Sequence, residues 1–127
     1  MRRMALLAVV SHMILACGTS TGALGGDLEV VLSEFYIEPE SQVVKAGTID
    51  LRLSNDGQIP HTLVVASHDG TVLAASNAVQ PAGRETLNIR LEPGTYQLTC
   101  RIVFRGDDGL LVDHYQEGMG TVLTVEP

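Results

Sequence analysis

The residue types best able to do chemistry lie mostly in the C-terminal third of the sequence. An alternating segment ends at Cys100, and His114 and Met119 lie five residues apart before a final apolar segment. A thiolate, an imidazole and a thioether are ligands that favour a soft transition metal. A second imidazole is available from His61, which opens another apolar run. These four residues predict a mononuclear copper site that carries single electrons.

Strand periodicity explains how the ligands would be positioned. Alternate side chains of a strand point to the same face, so Tyr96, Leu98 and Cys100 share one apolar face. His61 shares a face with Leu63 in the same way. Two strands can therefore deliver a sulfur and a nitrogen ligand from a rigid framework, while the loop before the last strand supplies the other two ligands.

Composition and turn signals indicate an all-β fold. The 127 residues allow one domain, and 45% are apolar although only 4% are aromatic and none is tryptophan, which predicts an aliphatic core. Turn signals occur at residues 55–57, 69–70 and 93–94, between segments that alternate apolar and polar residues. Seven or so short strands without a helical period predict an antiparallel β-sandwich.

The charge of the chain limits its partners. The formal net charge is −7, and removal of residues 1–16, which contain two arginines and no acidic residue, leaves 6 basic against 15 acidic residues, a net charge of −9. This balance argues against binding of nucleic acid, or of an anionic membrane through the domain surface. It is compatible with basic partners or with simple solubility.

The N-terminus has the layout of a secretory signal. Arg2 and Arg3 precede an apolar run that ends in a small residue before Cys17. Residues 14–18 resemble a bacterial lipobox, which implies acylation of Cys17 and an extracytoplasmic, membrane-anchored protein in the periplasm or at the cell surface. We expect a signal peptide at 1–16, a flexible tether at 17–26 and the domain at 27–127. An ordinary signal peptide that is cleaved nearby is the alternative.

The cysteine count supports metal binding. If Cys17 is acylated, Cys100 is the one remaining thiol in an oxidising compartment, where an odd cysteine requires an explanation. Metal ligation provides one. A disulfide between Cys17 and Cys100 is the competing explanation, and it would abolish the metal site.

Three segments together resemble a known family. Residues 55–62, 93–100 and 114–125 are similar to the cupredoxin, or blue copper, family, and the resemblance covers residues 27–127. It implies a Greek-key sandwich of eight strands, one type-1 copper ion near one end, and extracytoplasmic electron transfer between redox partners.

The resemblance also assigns roles to individual residues. His61, Cys100, His114 and Met119 fall on the four copper-ligand positions of the family. Thr62 falls where the family often places a side chain that hydrogen-bonds near the thiolate, so its hydroxyl is expected to support Cys100 from outside the ligand set.

The loop between Cys100 and His114 departs from the family pattern. Thirteen residues separate the two ligands, and residues 106–109 form a turn signal between two apolar arms. We expect a small hairpin at the metal end, which either shields the site or docks a partner.

Two other functions remain open. A flexible long loop would suit copper storage, delivery or sensing without electron transfer, and a metal-free interaction domain could keep only the fold. Copper enzymes of this type need a second, histidine-rich copper centre, and residues 17–127 contain only His61, His68 and His114. We therefore do not expect an enzyme.

Overall fold

Two β-sheets pack face to face in the computed structural model, which describes residues 25–127. The strands are β1 (Gly25–Ser33), β2 (Tyr36–Pro39), β3 (Val43–Lys45), β4 (Gly47–Asn55), β5 (Val64–Ser67), β6 (Val72–Ala75), β7 (Arg84–Leu91), β8 (Gly94–Thr99), β9 (Val103–Arg105), β10 (Leu111–Asp113) and β11 (Gly120–Glu126). One sheet has the order β2-β1-β4-β7, the other has the order β3-β11-β8-β5-β6, and β9 pairs with β10 alone. Within residues 25–127 there is no helix that could cross a membrane. The predicted signal peptide, Cys17 and residues 18–24 lie outside the described residues.

The core is aliphatic, as the composition predicts. Alternate residues of the long strands point between the sheets, and those of β1 and β4 are almost completely buried: Leu28, Val30, Leu32, Ile49, Leu51 and Leu53. From the facing sheet, Leu98, Leu123 and Val125 complete the same cluster. The all-β sandwich is therefore confirmed.

The strand directions differ in part from the predicted antiparallel arrangement. β1 runs parallel to β4, and β3 runs parallel to β11. Parallel neighbours need a crossover connection rather than a tight hairpin. The chain provides one here because β3 joins the opposite sheet before β4 returns beside β1.

Two predicted strands have different bounds in the structure. The expected first strand, residues 28–37, is divided between β1 and β2, which form an antiparallel hairpin with Glu34 and Phe35 at its turn. β1 also begins at Gly25, so two residues assigned to the tether belong to this strand. His61 precedes β5 instead of opening it, and pairs with Val79 in an isolated bridge.

The parallel pairing of β1 and β4 defines two ends of the domain. Gly25 lies beside Thr48 at one end, and Leu32 lies beside Asn55 at the other. At about 3.3 Å per residue, these ends are about 23 Å apart. Asn55 donates a hydrogen bond to the carbonyl of Val79, so the end marked by Asn55 is also the end at which His61 lies.

Candidate metal centre

Three of the four predicted ligands converge at this end of the sandwich. The Nδ1 atoms of His61 and His114 are 3.2 Å apart, and the Sγ atom of Cys100 is 3.4 Å from Nδ1 of His114. One ligand atom from each residue lies within 4.8 Å of the other two, and all three side chains are fully buried. Nitrogen and sulfur donors therefore face a common point that is closed to solvent.

The spacing of these atoms fits a single metal ion. Typical metal bonds are about 2.0 Å to imidazole nitrogen and about 2.3 Å to thiolate sulfur. A trigonal arrangement with these lengths separates two nitrogens by about 3.5 Å and a nitrogen from a sulfur by about 3.7 Å. The observed separations of 3.2 Å and 3.4 Å lie within a few tenths of an ångström of these values. Two imidazoles and one thiolate are the equatorial donors of a type-1 copper site.

Backbone hydrogen bonds hold His61 in place although it lies outside a strand. Its N–H donates to the carbonyl of Val79 over 3.1 Å, and its carbonyl accepts from the N–H of Val79 over 2.7 Å. The buried Asn55 side chain donates to the carbonyls of Ile59 and Val79, each over 2.8 Å, and accepts from the N–H of Gly57. Asn55 thus ties together the two chain segments that carry His61 and its partner.

Cys100, His114 and Met119 are joined to one another through the backbone. The N–H of Cys100 donates to the carbonyl of Met119 over 3.1 Å, and the N–H of Met119 donates to the carbonyl of His114 over 2.9 Å. The N–H of His114 in turn donates to the carbonyl of Ile102 over 3.0 Å. Met119 is fully buried. The structure therefore brings all four predicted ligand residues to one end of the domain, arranged as a type-1 copper site.

Thr62 lies against the sulfur of Cys100, where the sequence analysis expects it. The side-chain Oγ1 atom is 3.7 Å from Sγ, and the backbone N–H donates to Sγ over 3.4 Å. The sequence did not indicate this backbone donor. Both groups can stabilise negative charge on the sulfur, since hydrogen bonds around the sulfur tune such sites. Among the described residues, Cys100 has no disulfide partner.

Neighbours of the two imidazoles were missed by the sequence analysis. The Phe35 ring lies 5.0 Å from the His114 ring, centroid to centroid, and the Phe104 ring lies 5.5 Å from it, both edge to face. Oε1 of Glu34 is 3.4 Å from Nε2 of His61. Nothing in the alternation of residues 28–37 marks Glu34 or Phe35 as neighbours of a site that is formed elsewhere in the chain.

The surroundings of the two imidazoles favour their neutral form, and those of Glu34 favour its charged form. Burial lowers the pKa of His61, and the nearby Glu34 carboxylate offsets only part of this effect. Burial also lowers the pKa of His114, and the proximity of His61 lowers it further. For Glu34, burial alone would raise the pKa, but hydrogen bonds from the N–H groups of Ile59 and Gln58 outweigh it and hold the pKa at about 2. Neutral imidazoles have the free lone pair that metal binding requires.

The long loop forms the predicted hairpin and covers the site. β9 and β10 pair antiparallel from Val103 to Asp113. At the metal end, an apolar pocket of about 290 Å³ is lined by Ile59, Pro60, Ile102, Phe104 and His114. Through Phe104, the hairpin thus shields His114, which is one of the two roles expected for the hairpin. His68 is exposed, in the turn between β5 and β6.

Comparison with known proteins agrees with this geometry. A family model described as a cupredoxin-like domain matches residues 5–112, which is most of the chain. A search of curated proteins gives no match.

Several solved blue copper proteins have a similar fold. A dithionite-reduced auracyanin from Roseiflexus castenholzii is 20% identical with a TM-score of 0.57, and the match covers 82% of this chain and 98% of that one. Auracyanin A, a "blue" copper protein from Chloroflexus aurantiacus, is 13% identical with a TM-score of 0.56 and coverages of 80% and 99%. The copper protein rusticyanin is 16% identical with a TM-score of 0.56 and coverages of 79% and 78%. At these identities the similarity establishes the fold.

Proposed function

Because the chain belongs to the family of cupredoxin-like domains, we propose that it is a type-1 copper protein that carries single electrons between redox partners outside the cytoplasm. The observation that carries this proposal is the convergence of two imidazoles and a thiol on one buried point. The ligands would be His61, Cys100 and His114, with Met119 as a weaker fourth ligand.

The residues of the site suit electron transfer. Copper bound there supplies a one-electron couple between Cu(II) and Cu(I). His61 is fixed by its bridge to Val79, and the Cys100 backbone is fixed by its hydrogen bond to Met119, so the donor atoms have little freedom to move when the charge changes. Phe35 and Phe104 keep water away from His114. A dry, rigid ligand set favours fast transfer because little around it must rearrange.

We further propose that Cys17 is acylated after removal of residues 1–16, and that the lipid anchors the domain outside the cytoplasm. The position of Gly25 in the fold supports this arrangement. The tether would join the domain at Gly25, which lies at the end opposite the metal site, about 23 Å away along β1. The metal end would then face away from the membrane, toward redox protein partners. With a net charge of −9 after cleavage, nucleic acid is not an expected partner.

The decisive experiment is the absorption spectrum of the copper-loaded, oxidised protein. We expect an intense visible band from charge transfer between thiolate and Cu(II). Cys100→Ser should abolish the band, whereas His68→Gln, which changes an exposed histidine outside the site, should leave it unchanged. A band that persists in Cys100→Ser would refute the assignment.

Copper storage, delivery or sensing is the second candidate, which a flexible loop between Cys100 and His114 would suit. The pairing of β9 with β10 and the burial of His114 favour the electron carrier instead. Rapid, reversible reduction of tightly held copper is expected of a carrier. Fast exchange of copper with a chelator, together with poor reversibility, would favour storage or delivery. We propose no enzymatic activity, because copper enzymes of this type need a second, histidine-rich copper centre. Within the described residues, the histidine outside the proposed ligand set is His68, and it is exposed in a turn.

A further inference from the structure

We propose that Glu34 is a positioning residue for His61: its carboxylate holds the Nε2 side of the imidazole, so that the Nδ1 lone pair faces Cys100 and His114. This inference rests on the proposed copper site and adds a residue that holds one of its ligands without binding the metal.

The carboxylate of Glu34 lies beside the outer nitrogen of the His61 ring. Oε1 of Glu34 lies 3.4 Å from Nε2 of His61, and within residues 25–127 this nitrogen has no hydrogen-bond partner of good geometry. The contact is therefore mainly electrostatic. A neutral imidazole carries its proton on one nitrogen and a lone pair on the other. A carboxylate beside Nε2 favours the proton there and leaves Nδ1 free to bind a metal.

The carboxylate is also fixed independently of His61. Its Oε1 atom accepts hydrogen bonds from the N–H of Gln58 over 2.7 Å and from the N–H of Ile59 over 2.9 Å. Ser33 donates its hydroxyl to Oε2 over 3.3 Å. Gly57 leaves the necessary room, since a Cβ atom at this position would lie 2.5 Å from Oε2. The carboxylate is thus held in place from several sides.

The negative charge of Glu34 lies next to a proposed metal ligand and should change how that ligand binds the metal. A carboxylate behind a metal-bound imidazole raises the basicity of the ring, and loss of such a partner typically lowers metal affinity 10- to 100-fold. The negative charge should stabilise Cu(II) more than Cu(I). If Cu(II) affinity falls tenfold and Cu(I) affinity does not change, the reduction potential rises by about 59 mV.

The test compares Glu34→Gln with Glu38→Gln in the full chain. Glu34→Gln keeps an oxygen that can accept from Gln58 and Ile59, but removes the charge. Glu38→Gln removes the same charge at an exposed position of β2. We expect Glu34→Gln to lower Cu(II) affinity at least tenfold and to raise the reduction potential. Glu38→Gln should change Cu(II) affinity by no more than twofold, and the reduction potential by no more than the amount that corresponds to a twofold change in affinity. Equal effects of the two variants would overturn the proposal.

A measurement without metal separates this inference from the proposed function. In the metal-free protein at neutral pH, nitrogen NMR shifts of His61 should report a proton on Nε2, and Glu34→Ala should weaken this preference. A wild-type His61 that carries its proton mainly on Nδ1 would overturn the proposal even if copper binds. Absence of copper binding with the expected tautomer would instead overturn the proposed function alone.

Discussion

Acidification from pH 7 to pH 5 should destabilise the metal-free domain through its two buried imidazoles. Burial holds the pKa of His61 and of His114 below the ordinary value of 6.5. The unfolded chain then binds protons in this pH range that the folded chain does not bind, so stability rises with pH. The stability contribution is fully present above pH 6.5 and is lost as the pH falls toward the folded-state pKa values.

The structure sets the size of this effect. The two ring centroids are 5.0 Å apart, and two positive charges at this separation repel by about 3 kcal/mol at an effective dielectric constant of about 20. At most one ring therefore becomes charged readily in the folded domain. Each histidine that stays neutral in the folded domain, but binds a proton in the unfolded chain, lowers the free energy of unfolding by about 2 kcal/mol between pH 7 and pH 5. We expect a total loss of about 2 to 4 kcal/mol.

Urea unfolding of reduced, metal-free protein at pH 7, 6 and 5 measures this loss. The window lies above 4.5, the ordinary pKa of Glu34, so the stability that this carboxylate contributes through its lowered pKa of about 2 is not yet lost at pH 5. His68→Gln, which changes an exposed histidine outside the site, is the matched control. His114→Gln should remove the share that belongs to His114. An unfolding free energy that changes by less than about 0.5 kcal/mol over this range would contradict the argument.

Two further substitutions test the supports of the site. Asn55→Ala removes the three hydrogen bonds of the buried Asn55 side chain, each with a net contribution of about 1 kcal/mol. It should therefore lower the free energy of unfolding by about 3 kcal/mol in urea titrations and weaken copper binding through the bridge between Val79 and His61; a loss below about 1 kcal/mol would contradict this role. Phe104→Ala should open the cover over His114 and speed the removal of copper by a chelator, with the absorption band kept. An unchanged removal rate would show that Phe104 does not shield the site.

The parts of the fold that depend on local pattern could be predicted from the sequence. The alternation of apolar and polar residues in β4, β7 and β8 follows directly from burial of one face of each strand. This explains why the aliphatic core and the core-facing position of Cys100 could be predicted correctly. The order of Cys100, His114 and Met119 also carries information. Because β8 and β11 are paired, the long segment that joins them must return to its starting point, which brings Met119 back beside Cys100.

The parts that depend on long-range packing could not be predicted in the same way. The parallel pairing of β1 with β4 depends on β3 crossing to the other sheet, and no local pattern indicates such a crossing. Glu34 is a similar case. Its partners, Gln58 and Ile59, are 24 and 25 residues away, and their N–H groups carry no side-chain signal. Only the assembled fold shows that this carboxylate reaches His61.

The site is assembled by hydrogen bonds that do not involve a metal. His61 is held by Val79, Cys100 by Met119, and His114 by Ile102, and each of these contacts joins backbone groups. A ligand set built in this way exists before the metal arrives, so binding need not supply the free energy of folding. Metal that binds only the folded state then stabilises the domain by mass action. The same preorganisation limits how far the ligands move between oxidation states, and a rigid arrangement of this kind is what a single-electron carrier requires.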